Sequence, residues 1–214
     1  MELSVSHYLL ARALESVGLA ERDLTVVNTS DADIVAAFAS GTGKGAVVTW
    51  NPQLSEVAAL PGATKVFDSA DIPGEIIDLM VVNTETLADN PKLGKALVGA
   101  WYEMIALMRA DAEIRAKLGK AAGTDLAGYD AQLATTRMFY EPAAAVKFTE
   151  SSNLVVTMDA VRKFSDAHGL LGESGQSVDA VGIAFPGGKT LGDTGNIRLR
   201  FNPAFMARAA AGEL

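Results

Sequence analysis

The sequence predicts an α/β protein in which a parallel-rich sheet with flanking helices occupies residues 1–83 and a mostly helical part follows. Segments typical of helices and of strands alternate at short intervals up to residue 83, as they do in a layered sheet with crossover helices. Beyond residue 84 the apolar residues recur mainly at helical spacing. Hydrophobic residues make up 49% of the 214 positions, which is enough for a buried core.

Three helices are predicted in the first part. Gly18 is placed to end the first helix, Asp31 lies in the opening turn of the second, and Pro52 suits the first turn of the third. The predicted helical ranges are 6–17, 29–39 and 52–60.

Short runs of β-branched and other apolar residues separate these helices, as expected for strands, and the run 46–50 is expected to be buried. The glycine-rich stretch 40–45 is a turn before one of them. The predicted strands are 23–28, 46–50, 64–67 and 76–83.

The second part is predicted to be helical until a glycine-rich stretch, 172–202, where turns replace helices. Pro142 is expected to break the helical pattern. A short strand is expected at 197–201, and a C-terminal helix is expected at 203–214. The predicted longer helices are 91–108, 111–120, 124–140 and 151–168.

Composition excludes several function classes. The net charge of −8 disfavours binding to phosphate backbones, so no nucleic-acid partner is expected. Cysteine is absent, and His7 and His168 are the two histidines, so neither a thiolate site nor a histidine-rich metal centre is expected. The sequence predicts neither a membrane-spanning run nor a signal peptide at its start.

Motifs for catalysis are also missing, and we expect neither an enzyme nor a cofactor. The stretch Gly41–Gly45 faintly resembles a phosphate loop, but it lies between a helix and a strand. A phosphate cradle needs the reverse order, from strand to helix, so this stretch is interpreted as a turn.

Four places combine polar or aromatic residues with an element end, and they are the candidate binding positions. Each also has a plainer interpretation: a helix cap for the serines and Asp31, a core residue for Trp50, and a solvated acid for Glu75. In a parallel sheet all four places would lie along one edge, where open α/β sheets bind ligands. The candidate ligand-binding residues are Glu2, Ser4, Ser6, His7, Asp31, Trp50, Asn51 and Glu75.

Three motifs together resemble the nitrate/sulfonate/taurine-type periplasmic solute-binding proteins of ABC transporters. They are the helix start at 4–10 (SVSHYLL), the helix at 31–38 (DADIVAAF), and the turn Trp50-Asn51-Pro52. The stretch 47–108 is most similar to a subgroup found beside urea carboxylase. The resemblance implies a two-lobed, type II periplasmic-binding-protein-like fold, a small-molecule solute, an ABC permease as partner, and a periplasmic location.

Compared with that family, the chain is expected to lack a first-lobe segment at its N-terminus. Residues 1–83 would then form the α/β second lobe, and residues 84–214 would be the mostly helical part that normally packs on the first lobe. An unpartnered helical part would expose one face of the helix at 91–108 and favour a homodimer. The residues expected on that face are Leu93, Leu97, Trp101, Ile105 and Met108.

The predicted ligand is a small nitrogen-rich solute such as urea or a guanidine-like compound. Asn51 stands where the family usually has an acid, and no Arg or Lys is found in the same turns as Glu2, Asp31 and Glu75. Such a site favours an N–H donor over an anion. The alternatives are a nitrate, sulfonate or taurine transport protein, the effector-sensing domain of a regulator, and an enzyme similar to pyrimidine-synthesising relatives of the fold. Two histidines make the enzyme the weakest of these.

Overall fold

The computed structural model of the chain describes residues 4–41, 45–172 and 177–214. It contains two compact units, the first formed by Met1–Ile76 with Ala160–Val178 and the second by Ile77–Asp159 with Asp179–Leu214. The α-helices of the described residues are α1 (Val5–Ser16), α2 (Ile34–Ala39), α3 (Gln53–Ala58), α4 (Thr84–Asp89), α5 (Leu93–Ala110), α6 (Ala112–Ala121), α7 (Leu126–Thr135), α8 (Pro142–Thr149), α9 (Ser152–Ala167) and α10 (Ala204–Ala210). The strands are β1 (Gly182–Ala184), β2 (Thr190–Leu191) and β3 (Ile197–Arg200).

Helix α1 forms where the apolar spacing predicts it and ends at Gly18 as expected. Gly18 has a φ of 75°, which a residue with a side chain rarely adopts. The amide of Leu19 donates to the carbonyl of Leu14 at 2.9 Å, and the amide of Gly18 donates to Glu15 at 3.0 Å. This pair of bonds is a Schellman motif, and it satisfies carbonyls that the helix end leaves unpaired.

The first unit has a small core around α1 and the packed pair α2 and α3. The last part of α9, from Ala160 onward, belongs to the same unit. Its buried apolar residues are Tyr8, Ala11, Leu14, Ile34, Val57 and Ile72.

The strands predicted for residues 23–83 are wrong. The described residues of this region contain no strand, and no ladder hydrogen bonds join these segments. β-branched side chains favour an extended backbone, whereas a strand also needs a partner backbone, which local sequence does not supply. Val66 is 88% exposed and Val81 is 72% exposed, and in the run 46–50, which was expected to be buried, Trp50 is 41% exposed.

The second unit is predominantly helical. Helix α5 packs against α6 and α10, α6 packs against α7, and α8 packs against α10. At the α5–α10 contact, a Cβ on Gly94 would come within 2.3 Å of the Phe205 ring, so glycine is what allows the close approach. The buried apolar residues are Ile105, Met108, Ala145, Leu154 and Phe185.

Glycine-rich residues of the second unit form a small mixed sheet with strand order β2-β1-β3. Strand β1 pairs antiparallel with β2 and parallel with β3. The α/β class with C-terminal helices is therefore confirmed, and so is the strand expected near 197–201. The sheet itself lies in the second unit rather than in the range 1–83 where it was expected.

Two expectations about the helical part are corrected. Pro142 does not break a helix but begins α8, because proline's missing N–H and fixed φ suit a first helical turn. Ile105 and Met108, expected on an exposed dimer face, are buried within the chain's own packing. The large apolar residues of α5 that remain exposed are Trp101, Met104 and Leu107.

Candidate functional site

Helix α1 places Tyr8 and Arg12 on one face, because residues four apart in a helix are neighbours. Both side chains reach Glu75, which lies far along the chain from α1. The Tyr8 hydroxyl donates to Glu75 Oε2 at 2.5 Å. Arg12 donates from Nε to Oε2 at 2.8 Å and from Nη2 to Oε1 at 3.0 Å, which is a two-point guanidinium–carboxylate pair.

A tight turn presents Glu75 to these donors. Gly74 has a φ of 85°, and the Glu75 amide donates to the carbonyl of Ile72 at 3.2 Å. The Ile72 side chain is buried, which anchors the turn. Sequence reasoning took this segment for a loop, and the structure shows that the loop delivers a carboxylate to α1.

The electrostatics of the pair follow from its partial burial. Burial alone raises the pKa of Glu75, but the hydrogen bonds from Arg12 and Tyr8 outweigh it and lower that pKa below its ordinary value. Burial and the neighbouring carboxylate raise the pKa of the Tyr8 hydroxyl. The hydrogen bond to Glu75 raises the pKa of Arg12. At neutral pH the three groups are therefore a carboxylate, a neutral phenol and a guanidinium.

Aromatic and imidazole side chains flank the pair. Phe164 of α9 meets the Tyr8 ring edge-on at 5.2 Å between centroids, and the Arg12 guanidinium lies 5.2 Å from the centroid of the same phenyl ring. His168, four residues along, stacks on Phe164 at 4.0 Å. Aromatic and cation–π contacts of this kind hold the guanidinium in position.

Glu21 lies between the two histidines of the chain. Its carboxylate pairs with His7 through Oε1, and its Oε2 lies 3.7 Å from His168 Nδ1. A further carboxylate, Glu15, pairs with Arg12 from the exposed side of α1. We call the resulting cluster the Glu75 network; its members are His7, Tyr8, Arg12, Glu15, Glu21, Glu75, Phe164 and His168.

The structure places the predicted site residues in different settings. His7 and Glu75 belong to the Glu75 network. Ser4 occupies the N-cap position of α1 without a side-chain capping hydrogen bond, Ser6 is buried within α1, and Asp31 lies in the turn that precedes α2. Glu2 lies outside the described residues.

Trp50 and Asn51 form hydrogen bonds with the first turn of α3. The Trp50 carbonyl accepts from the Leu54 amide at 2.8 Å, and Asn51 Oδ1 accepts from the Ser55 hydroxyl at 2.8 Å. The Trp50 side chain is 41% exposed, so it is not the core residue of the plainer interpretation.

Sequence reasoning missed Tyr8, Arg12, Glu21, Phe164 and His168 as members of one cluster. It was also wrong to treat Glu75 as an acid without a nearby cation, because it compared Glu75 only with residues in its own turn. Arg12 approaches from another element. The available signal was the four-residue spacing of Tyr8 with Arg12 and of Phe164 with His168, which marks one face of a helix.

The second unit carries a separate open groove of about 430 Å³. Arg109 lies beside it, 5.4 Å from the centroid of the Tyr140 ring and 2.9 Å from the Glu141 carboxylate. Burial raises the pKa of Tyr102, another residue of the lining. The lining residues are Tyr102, Ile105, Ala106, Arg109, Ala110, Tyr140, Glu141 and Pro142.

The described residues offer neither a metal cluster nor a membrane-spanning helix. Among the residues that the structure describes, no group of three or more His, Asp or Glu side chains is arranged to hold a metal ion. Within the same residues, no helix is both long and apolar enough to cross a bilayer.

A comparison with protein families matches residues 1–123 to the model of the NMT1-like family. This range covers more than half of the chain and includes α1, Arg12, Glu21 and Glu75. The chain belongs to the NMT1-like family. No curated protein and no solved structure matches it.

Membership of the NMT1-like family confirms the resemblance to nitrate/sulfonate/taurine-type solute-binding proteins and the periplasmic-binding-protein-like fold. The family consists of solute-binding proteins of ABC transporters, so it implies a small-molecule ligand and an ABC permease as partner. It is associated with binding and transport rather than catalysis. Its resemblance to periplasmic binding proteins indicates a location outside the cytoplasm.

Proposed function

We propose that this NMT1-like protein acts in the periplasm, where it captures a small N–H-rich solute, urea or a guanidine-like compound, for an ABC importer. The observation that carries the proposal is the charge balance of the Glu75 network. Its eight members include three carboxylates, of Glu15, Glu21 and Glu75, against the single guanidinium of Arg12. Carboxylates accept hydrogen bonds, so this balance favours a ligand that donates them.

The guanidinium is already engaged on two sides. The Glu75 carboxylate accepts hydrogen bonds from Nε and Nη2 of Arg12, and the Glu15 carboxylate accepts one from Nη1. An anionic ligand would have to compete with both carboxylates for Arg12. A carboxylate about 4 Å from an anion costs about 4 kcal/mol at an effective dielectric constant near 20, or roughly a thousandfold in affinity.

The binding positions that we propose are those predicted from the sequence: Glu2, Ser4, Ser6, His7, Asp31, Trp50, Asn51 and Glu75. Glu75 supplies acceptor oxygens, and Asn51 supplies both a donor and an acceptor. We retain with this proposal the division of the chain near residue 83 into a second lobe and a mostly helical part that normally packs on the first lobe.

A nitrate, sulfonate or taurine ligand is the second candidate, and one observation favours it. Arg12, absent from the predicted site, lies on Glu75 and partly neutralises it. Guanidinium groups are the usual partners of oxyanions. Displacement of Glu75 by a ligand would expose the two-point donor face of Arg12.

Calorimetric titration of the purified protein with urea, guanidinium, nitrate and taurine separates the two candidates. We expect binding of urea or guanidinium and at least tenfold weaker binding in Glu75→Gln. Glu141→Gln is the matched control, because Glu141 also pairs with an arginine but belongs to the second unit. Binding of nitrate or taurine, with none of urea or guanidinium, would overturn the proposal in favour of the second candidate.

Self-association through α5 is a separate part of the proposal. Trp101, Met104 and Leu107 are exposed along the helix, and burying each such side chain contributes about 1.5–3 kcal/mol. Sedimentation over a range of protein concentrations should show a dimer that Trp101→Glu weakens. A monomer at every concentration would exclude it.

A further inference from the structure

Two enclosed polar atoms flank the Trp50–Asn51 turn. Within the described residues, Thr49 Oγ1 and Gln53 Oε1 are shielded from solvent and have no hydrogen-bond partner. Buried polar atoms are almost always paired, and one that is not costs the desolvation of the group. Each such atom in a folded protein therefore needs an explanation.

The neighbouring polar groups do not pair with Thr49 Oγ1 or Gln53 Oε1, because they already have other partners close by. The Trp50 carbonyl accepts the Leu54 amide, and Asn51 accepts the Ser55 hydroxyl. Gln53 begins α3, which packs on α2, and Thr49 lies four residues before it. The backbone and Asn51 groups of this turn are therefore hydrogen-bonded, whereas the Thr49 hydroxyl and the Gln53 amide oxygen are not.

We propose that Thr49 and Gln53 are ligand-contacting residues that recognise N–H groups of the transported solute. The inference rests on the proposed function and extends its site by two residues. An amide oxygen accepts hydrogen bonds and cannot donate them, and a threonine hydroxyl can do either. The N–H groups of a solute such as urea or guanidinium can donate to either atom, whereas nitrate offers the amide oxygen only acceptors.

Three variants test the assignment. Thr49→Val and Gln53→Met replace each polar group by an apolar one of similar size. Gln132→Met is the matched control, since Gln132 Nε2 is also enclosed without a partner among the described residues but lies on α7 of the second unit.

The first measurement is calorimetric titration with urea and guanidinium. Loss of one neutral hydrogen bond corresponds to roughly 3- to 10-fold in affinity. We expect such a loss in Thr49→Val and in Gln53→Met and unchanged affinity in Gln132→Met. Unchanged affinity in the first two variants, with a wild-type protein that binds, would overturn this assignment and leave the proposed function standing.

The second measurement is thermal unfolding without solute. Replacing an unpaired buried polar group by an apolar one is neutral or stabilising, so the melting temperature of all three variants should stay level or rise. A lower melting temperature in Thr49→Val and Gln53→Met, with unchanged affinity, would mean that water or protein pairs these atoms, and would refute the assignment. A wild-type protein that binds none of the four solutes would refute the proposed function and this extension of it together.

Discussion

Replacing Glu75 with glutamine removes the charge that holds Tyr8 and Arg12 together. The side chains of Glu75 and Arg12 are 18% and 26% exposed, so solvent screens this ion pair less than it screens a surface pair. Hydrogen bonds to charged groups contribute about 1.5–3 kcal/mol each, and glutamine retains one acceptor oxygen. We therefore expect the free energy of unfolding to fall by about 2 kcal/mol.

The assay is thermal or denaturant unfolding at neutral pH. For a chain of this size, 1 kcal/mol corresponds to roughly 2–4 °C, so the melting temperature of Glu75→Gln should fall by roughly 4–8 °C. Glu15→Gln is the matched control: Glu15 pairs with the same guanidinium, but its side chain is 51% exposed. Exposed pairs three residues apart contribute only about 0.2–0.5 kcal/mol.

The pH dependence of the free energy of unfolding gives an independent check on the stabilising role of the Glu75 carboxylate. Because the pKa of Glu75 is lowered on folding, the unfolded chain binds more protons at acid pH, and this contribution to stability is present above the ordinary value of 4.5. It is lost as the pH falls through the lowered pKa of the folded state. The difference between wild type and Glu75→Gln should therefore shrink in acid. Equal effects of Glu75→Gln and Glu15→Gln, or a difference that does not vary with pH, would refute the reasoning.

Three further substitutions test the same structure. Tyr8→Phe removes the 2.5 Å hydrogen bond to Glu75; it should cost about 1–2 kcal/mol and raise the Glu75 pKa, which carboxyl NMR titration measures. Phe164→Leu removes the aromatic and cation–π contacts and should cost about 1–2 kcal/mol in denaturant unfolding; an unchanged midpoint would contradict these contacts. Gly182→Ala should cost about 1–3 kcal/mol, because its Cβ would lie 2.2 Å from the Asp193 carbonyl oxygen; unchanged thermal stability would show that the strand can shift.

The elements that sequence reasoning predicted well are those with local signals. Helix α1 ends at Gly18 and α9 ends before Gly169, and in both cases a glycine with positive φ closes a Schellman motif. Helix spacing, caps and glycine ends depend on residues within one or two turns. For that reason α1, α5, α6 and α9 could be predicted with small errors in their bounds.

The strands and the site depend on distant residues, and sequence reasoning was weaker there. The β-branched runs of 46–50 and 64–67 specify an extended backbone but not the partner that would make it a strand. Glu75 was recognised as a candidate residue, yet its partner Arg12 lies 63 positions away, and one sequence does not reveal that pairing. Pro142 was misread because proline is both a helix breaker and a good first helical residue.

The first compact unit is discontinuous: it joins Met1–Ile76 to Ala160–Val178. During synthesis, the contact between Tyr8 and Phe164 therefore cannot form until most of the chain has been made. Contacts between such distant residues slow folding, because a long loop must close before they form. Until residues 160–178 have been synthesised, the first unit lacks its last segment and α1 lacks the phenyl ring against which Tyr8 packs.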